Sequence, residues 1–296
     1  MRFGLANQYL AAEFSLCGGE LYSLRDAEGT EYLWTGDEQI WPYRAAHMFP
    51  FTGRMTRGQY TYQGIRYPME IHGFLKDTRM KLLGKTGQKA VLGFRSNEQT
   101  HEIYPFQFEL ELEYELNGSC LQITERVKNL GVEKMYFGIG CHPGFRIPWD
   151  GKAAFEAHYL EFDRAETPVR IGMTDSCFTD RSMDAALELE EGGILPLRHE
   201  LFDRDALYVE GTGGRVLLKR KNTEKSILME YPDMRYLGIW HRPHTDAPYV
   251  CLEPSVSLPS RQDIVEAAEE KPDLIALDAK KCYQNNWSIS VLTDRL

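Results

Sequence analysis

The stretch Phe106-Gln107-Phe108-Glu109-Leu110-Glu111-Leu112-Glu113-Tyr114-Glu115-Leu116 carries an apolar side chain at every even position and a polar one at every odd position. Successive side chains of an extended chain point to opposite faces of a sheet, so this period of two marks a strand with one buried face. Asn117-Gly118 follows, the pair best suited to the positive φ angles of a type I′ turn, and Leu121, Ile123 and Val127 resume the alternation beyond it. The segment reads as a long antiparallel hairpin turning on Asn117-Gly118.

Outward from this hairpin, short runs rich in aromatic and β-branched residues recur at Phe155 to Phe162, Arg215 to Arg220, Lys225 to Tyr231, Tyr249 to Leu252 and Ser288 to Leu292. Gly, Pro and Asp separate them, as turn chemistry requires. The one helical candidate is Arg261 to Lys271, where Ile264, Val265, Ala267 and Ala268 are grouped before Pro272. No βαβ rhythm, fixed repeat or long Ser/Gly/Pro linker interrupts the pattern, so an all-β, antiparallel sandwich or barrel in one domain, 1–296, is expected.

The 296 residues include 34 Lys plus Arg against 44 Asp plus Glu, a net charge of -10. That balance disfavours nucleic acid as a partner, since phosphate-backbone binding rests on clustered cations. No run approaches the roughly 20 apolar residues of a membrane helix, and Met1 to Gln8 lacks the basic and apolar regions of a secretory signal, so a cytoplasmic protein is expected. The six cysteines form no C-x-x-C pair and read as ordinary buried thiols. Gly53, Gly58 and Gly64 match neither a P-loop nor a dinucleotide fingerprint, so ATP and NAD are not expected as cofactors.

Four segments concentrate polar and aromatic residues beside Gly or Pro: Phe49 to Arg54, Ile71 to Asp77, Cys141 to Arg146 and Val250 to Pro254. If their strand ends converge, they can line a pocket with aromatic walls and polar tips. Glu253 precedes a proline, which favours extended backbone, and burial would raise its pKa toward the range useful for a general base. A surface glutamate paired with arginine is the plainer alternative. His72 and His142 beside turns are equally open to a role in local hydrogen bonding. Phe74, Phe145 and Trp240 read as core aromatics unless a face is exposed for stacking on a sugar. His241 and His244, three apart with Asp246 nearby, offer a transition-metal pair, but Pro243 denies them a shared helix face, and a loop with free histidines is favoured.

In order, Gly53-Arg54, His72-Gly73-Phe74, His142-Pro143-Gly144-Phe145 and Cys251-Leu252-Glu253-Pro254 resemble the aldose 1-epimerase (galactose mutarotase) family. The likeness is greatest to the bacterial branch named after the lactose-operon X protein, and it runs from Gly18-Gly19-Glu20-Leu21 through Tyr32-Leu33-Trp34 to the strand around Trp287. It implies a large antiparallel β-sandwich of the mutarotase type with few short helices and an open sugar cleft. It also implies Glu253 as general base, His142 as general acid, and His72, Arg54 and Asp205 as sugar-binding residues, with Asp203 the neighbouring candidate for the aspartate. No metal or organic cofactor is implied. The Ser255-Val256-Ser257-Leu258-Pro259 segment departs from the aromatic, glycine-bearing segment usual in that branch, as does the His241 to His244 loop, which leaves the sugar open.

Three readings follow. The first is a cofactor-independent mutarotase acting on a hexose, or on a phosphorylated or modified one held by cations among Arg54, Arg57, Lys76, Arg79 and Arg146. The second is a sugar-binding or sensing protein without turnover; the third is a metal-dependent β-barrel enzyme using His72, His142 or the His241/His244 pair. A homodimer stays open.

Overall fold

A computed structural model describes residues 1–149, 151, 153–163 and 167–292. Two large sheets dominate, and every pairing between their strands is antiparallel. The nine-stranded sheet is built around the hairpin Phe108–Asn117 and Cys120–Asn129, flanked on one side by Lys89–Arg95 and on the other by Cys282–Leu292. The alternation does what its period requires: Phe108, Leu110, Leu112, Tyr114 and Leu116 are all buried, while Glu109, Glu111, Glu113 and Glu115 are not.

The hairpin turn is displaced by one residue from expectation. Asn117 pairs with Cys120, so the two central residues are Gly118 and Ser119. Only Gly118, at φ +61°, has positive φ among these residues, which fits a type II′ turn with glycine first rather than type I′. The reason is that Asn117 remains a strand residue, extending the ladder by one rung.

The seven-stranded sheet runs in the order Ala185–Ala186, Val169–Arg170, Leu207–Glu210, Tyr236–Trp240, Tyr249–Ser255, Gly140–Arg146 and Ala45–Met48. A three-stranded sheet, Arg2–Ala6, Leu10–Ser15 and Leu21–Asp26, and two small ribbons complete the β-structure. Most buried apolar residues, from Leu5 to Val291, form one connected cluster, with smaller ones around Trp41 and Tyr208.

Between the two large sheets lies a polar contact inside this core. His47 Nδ1 is 2.7 Å from Glu125 Oε1, its Nε2 is 2.9 Å from the Tyr114 hydroxyl, and Asn285 Nδ2 donates to Glu125 Oε2 at 2.6 Å. All four side chains are at most 1% exposed.

The helix expected over Arg261 to Lys271 is absent. Asp263 has φ +61°, and Glu266 O and Ala268 N–H are committed to Thr61 in a neighbouring segment. The Glu266 carboxylate also takes three hydrogen bonds from Arg261, so turns close this loop. The α-helix that does form among the described residues, Glu98–Ile103, carries a reciprocal capping box between Asn97 and Thr100. Among the described residues, no helix is long and apolar enough to cross a membrane. The thiols also differ from expectation: only Cys141 and Cys251 are buried, Cys17 and Cys282 are exposed, and Cys120 and Cys177 are intermediate.

Candidate active site

His142 and Glu253 lie inside adjacent strands of the seven-stranded sheet, not at strand ends. The pairing of Gly140–Arg146 with Tyr249–Ser255 has rungs at Gly140↔Ser255 and Gly144↔Cys251 and none between them. In the register those rungs set, His142 faces Glu253 across the gap. Each is followed by a proline, Pro143 and Pro254, which has no N–H to give to a ladder. The two His-Pro and Glu-Pro dipeptides thus open the sheet where the two ionisable residues meet.

Small residues keep the surface above the pair open. Ala46 is the cross-strand neighbour of His142 on one side, and Gly238 that of Glu253 on the other, followed by Tyr208 opposite Gly238. A side chain at Gly238 would meet Glu253 Oε2 at 3.3 Å. Ala46, His142, Glu253 and Tyr208 all line a cavity of about 450 Å³, within the range of about 300–1,000 Å³ usual for small-molecule sites.

Glu253 Oε1 is 3.2 Å from His142 Nε2, with residue exposures of 3% and 6%. Neither Glu253 Oε1 nor His142 Nδ1 has a hydrogen-bond partner. Buried polar atoms are rarely left so, and two on one cross-strand pair beside a cavity mark a place for a polar ligand. Burial, and secondarily the Asp205 carboxylate, raises the Glu253 pKa well above the carboxylate range; burial and the neighbouring His72 hold His142 well below the imidazole range. Two titratable groups in such close contact titrate as a coupled pair rather than independently.

His72 is placed beside them by a left-handed turn, φ +62°, followed by Gly73 at φ +72°. Gly73 has to be glycine: a Cβ there would lie 2.1 Å from Phe49 O. The Gly53 N–H donates to His72 Nδ1 at 3.1 Å, so the ring proton resides on Nε2. Burial, with Lys76 and Arg54 nearby, lowers the His72 pKa to about 4, and the ring stays a neutral donor at ordinary pH. Its plane stands edge-on to His142, with centroids 5.2 Å apart.

Arg54 Nη1 donates to Asp205 Oδ2 at 3.1 Å, and both residues line the cavity. Although partial burial pulls the other way, the Asp205 carboxylate and the Cys177 thiol raise the Arg54 pKa, so the guanidinium keeps its charge. Asp203 instead contacts exposed His244 at 3.2 Å, which leaves Asp205 as the aspartate of the cavity. All five residues implied by the resemblance, Glu253, His142, His72, Arg54 and Asp205, therefore meet at one cavity. Of the other cations expected there, Lys76 lines it too and Arg57, Arg79 and Arg146 do not; Arg204, which was not among them, does.

Local reading of the sequence did not select Trp41, Tyr208 or Cys177. Trp41 stacks on His142 with centroids 4.7 Å apart, and Trp240 meets the same ring edge-on at 5.7 Å. Trp240 is thus a wall of the site, whereas Phe145 is a core residue and Phe74 packs against the core. Trp41 sits in a loop with no periodic pattern around it, so no local signal identifies it. Tyr208 had a signal in its proximity to Asp205.

The His241/His244 pair is not a ligand set. His241 Nε2 is 2.9 Å from His199 Nδ1 and its Nδ1 is 2.7 Å from Arg242 O, so both ring nitrogens are engaged, and neither histidine is free. Donor atoms of the cavity-lining His142 and Glu253 and of the buried Cys251 lie within 4.8 Å of one another. Burial, and secondarily the Glu253 charge, holds the Cys251 thiol well above its ordinary pKa, and burial raises the Glu253 pKa too; both shifts oppose metal binding, which needs deprotonated ligands.

The family model for aldose 1-epimerase matches residues 1–290. Protein LacX of Lactococcus lactis subsp. lactis, in plasmid and chromosomal forms, is 27% identical over 300 residues, covering 99% of this chain and all of the relative. Among solved structures, a galactose mutarotase related enzyme from Lactobacillus acidophilus superimposes with a TM-score of 0.94 at 29% identity, covering 99% of both chains. A galactose mutarotase-like protein from Lactobacillus casei gives 0.92 at 26% identity, covering 99% of this chain and 100% of the other. The architecture is the galactose mutarotase-like fold, the general function is that of a sugar epimerase or mutarotase, and the chain belongs to the aldose 1-epimerase family.

Proposed function

We propose that the protein interconverts the α and β anomers of a hexose, with Glu253 as base and His142 as acid. The supporting observation is that one carboxyl and one imidazole, 3.2 Å apart and shielded from bulk water, share an open cavity. Opening a cyclic hemiacetal requires one proton to leave the hydroxyl on carbon 1 while another reaches the ring oxygen. Those two oxygens are bonded to the same carbon, so the groups that serve them must be neighbours, as cross-strand partners are.

Glu253 takes the hydroxyl proton and His142 delivers one to the ring oxygen. Rotation about the bond between carbons 1 and 2 turns the aldehyde over, and the same two groups then work in reverse to close the ring. The electrons stay within the sugar, with no net oxidation or reduction. His72 Nε2–H supplies a neutral hydrogen-bond donor, Arg54 and Asp205 bind hydroxyls, and Trp41 and Trp240 offer faces for the apolar side of the ring. Arg54, Lys76 and Arg204 leave room for a sugar bearing an anionic substituent.

Exchange NMR or polarimetry on freshly dissolved α-glucose, α-galactose and hexose 6-phosphates tests this. With the sugar that is turned over, Glu253→Gln should lower the rate by about 10²-fold or more. A fully active Glu253→Gln protein would exclude the assigned base. Calorimetric binding without acceleration of any sugar would leave a sugar-binding protein of the same family.

A further inference from the structure

Two loops meet at the cavity wall through an unusual contact. Cys177 belongs to the turn Thr174 to Phe178, closed by hydrogen bonds from Cys177 N–H to Thr174 O and from Thr174 N–H to Phe178 O, both 2.9 Å. Asp205 closes a second turn by donating its N–H to Phe202 O at 2.9 Å. Both residues adopt left-handed backbone, at φ +62° and +72°, although neither is glycine. His72, at φ +62°, is a third such residue lining the same cavity. Conformations of this kind are strained for a residue with a side chain and concentrate at ligand and active sites.

The aim of these two is mutual. Cys177 Sγ donates to Asp205 Oδ2 at 2.7 Å, and the same oxygen accepts from Arg54 Nη1 at 3.1 Å. Among the described residues, Asp205 Oδ1 receives no hydrogen bond. We propose that Cys177 is a positioning residue of the sugar site, holding Asp205 together with Arg54 so that Oδ1 is the one acceptor left for a sugar hydroxyl. This rests on the reading of the cavity as a sugar site.

The chemistry of the thiol suits the task. An aspartate with two free oxygens can turn about its last torsion and satisfy Arg54 with either; a second donor on Oδ2 fixes which oxygen faces the ligand. Burial and the Asp205 carboxylate raise the Cys177 pKa to about 11, so sulfur stays a donor through neutral pH. A thiolate would repel the carboxylate instead.

Two measurements test the assignment. The first is iodoacetamide labelling at pH 8, read by peptide mass mapping, with exposed Cys17 and Cys282 as internal references. Asp205→Asn leaves the burial that chiefly raises the thiol pKa but removes the added effect of the carboxylate, so Cys177 should label about threefold faster, the gain in thiolate exceeding its loss of nucleophilicity. An unchanged or slower rate would overturn the contact. The second uses Cys177→Ala and Cys177→Ser with the sugar that is turned over. The alanine variant should raise KM about fivefold with kcat within about twofold of wild type, and serine, which keeps a donor, should recover most of the loss. An unchanged KM, or a fall in kcat alone, would overturn the positioning role; thermal melts of both variants separate it from unfolding. If the wild type neither turns over nor binds any sugar tested, the sugar reading and the positioning role fall together, while labelling still decides the contact.

Discussion

At the scale of the residue, the site depends on burial acting in opposite directions on two titratable groups. The doubly protonated pair forms only below the lowered pKa of His142, so the acid limb of kcat/KM against pH should lie below the ordinary imidazole value near 6.5. Activity at pH 6 is then expected within about twofold of that at pH 7.5; an acid limb at 7 would refute the burial argument. The stability sign is separate. Glu253 binds its proton more tightly folded than unfolded, so its contribution is intact below the unfolded carboxyl pKa and lost as pH rises toward the raised folded value. Glu253→Gln removes that loss and should melt no lower than wild type at pH 8, and higher if the carboxyl is the main cost. The residue types were legible in the sequence, and so was a raised Glu253 pKa on condition of burial, but the burial itself and the lowered His142 pKa were not. Glu253 read equally well as a surface glutamate, because nothing local states that Gly238 and Ala46 flank the pair and leave it under a cavity.

At the scale of the element, alternation told more than turn or helix signals. The even-numbered residues of the hairpin are buried as their period demands, yet the turn moved one residue, since Asn117 serves the ladder as well as it would serve a turn. Residues 261–271 had the composition of a helix and became turns because Thr61 and Arg261 claim their polar groups, which are contacts across more than 200 residues in the case of Thr61. The loop holding His72 gives a direct test. Gly73→Ala combines φ +72° with a clash of Cβ against the Phe49 backbone, and neither can be relieved by a side-chain rotation. A loss of at least about 2 kcal/mol in urea denaturation is expected, with reduced activity in whatever folds. Wild-type stability in this variant would mean that the loop has another conformation available.

At the scale of the whole molecule, the two large sheets are joined behind the site by His47 and Glu125. The strand that offers Ala46 to the cavity turns His47 to the core, and His47 meets a carboxylate from the opposite sheet. Removing one member of such a pair strands the other, so Glu125→Ala should cost about 3–5 kcal/mol, measured by denaturant unfolding. A change below about 1 kcal/mol would show that water or neighbouring groups replace the contact. An antiparallel sandwich or barrel followed from strand period, composition and the absence of βαβ rhythm, and the choice of the sandwich from the family resemblance. The core pair did not, because His47 and Glu125 are 78 residues apart, and Glu125, between Thr124 and Arg126, reads like any polar residue of an alternating strand.

The missing rungs between the His142 and Glu253 strands carry a consequence for how the family can diversify. The proposed acid–base pair is placed by covalent structure, two imino acids that delete backbone donors, and it lies within the seven-stranded sheet. Recognition is assigned to Arg54, Cys177 and Asp205 on separate loops around it. Exchange of those loops between relatives should therefore retune which sugar is accepted while the catalytic centre stays where it is.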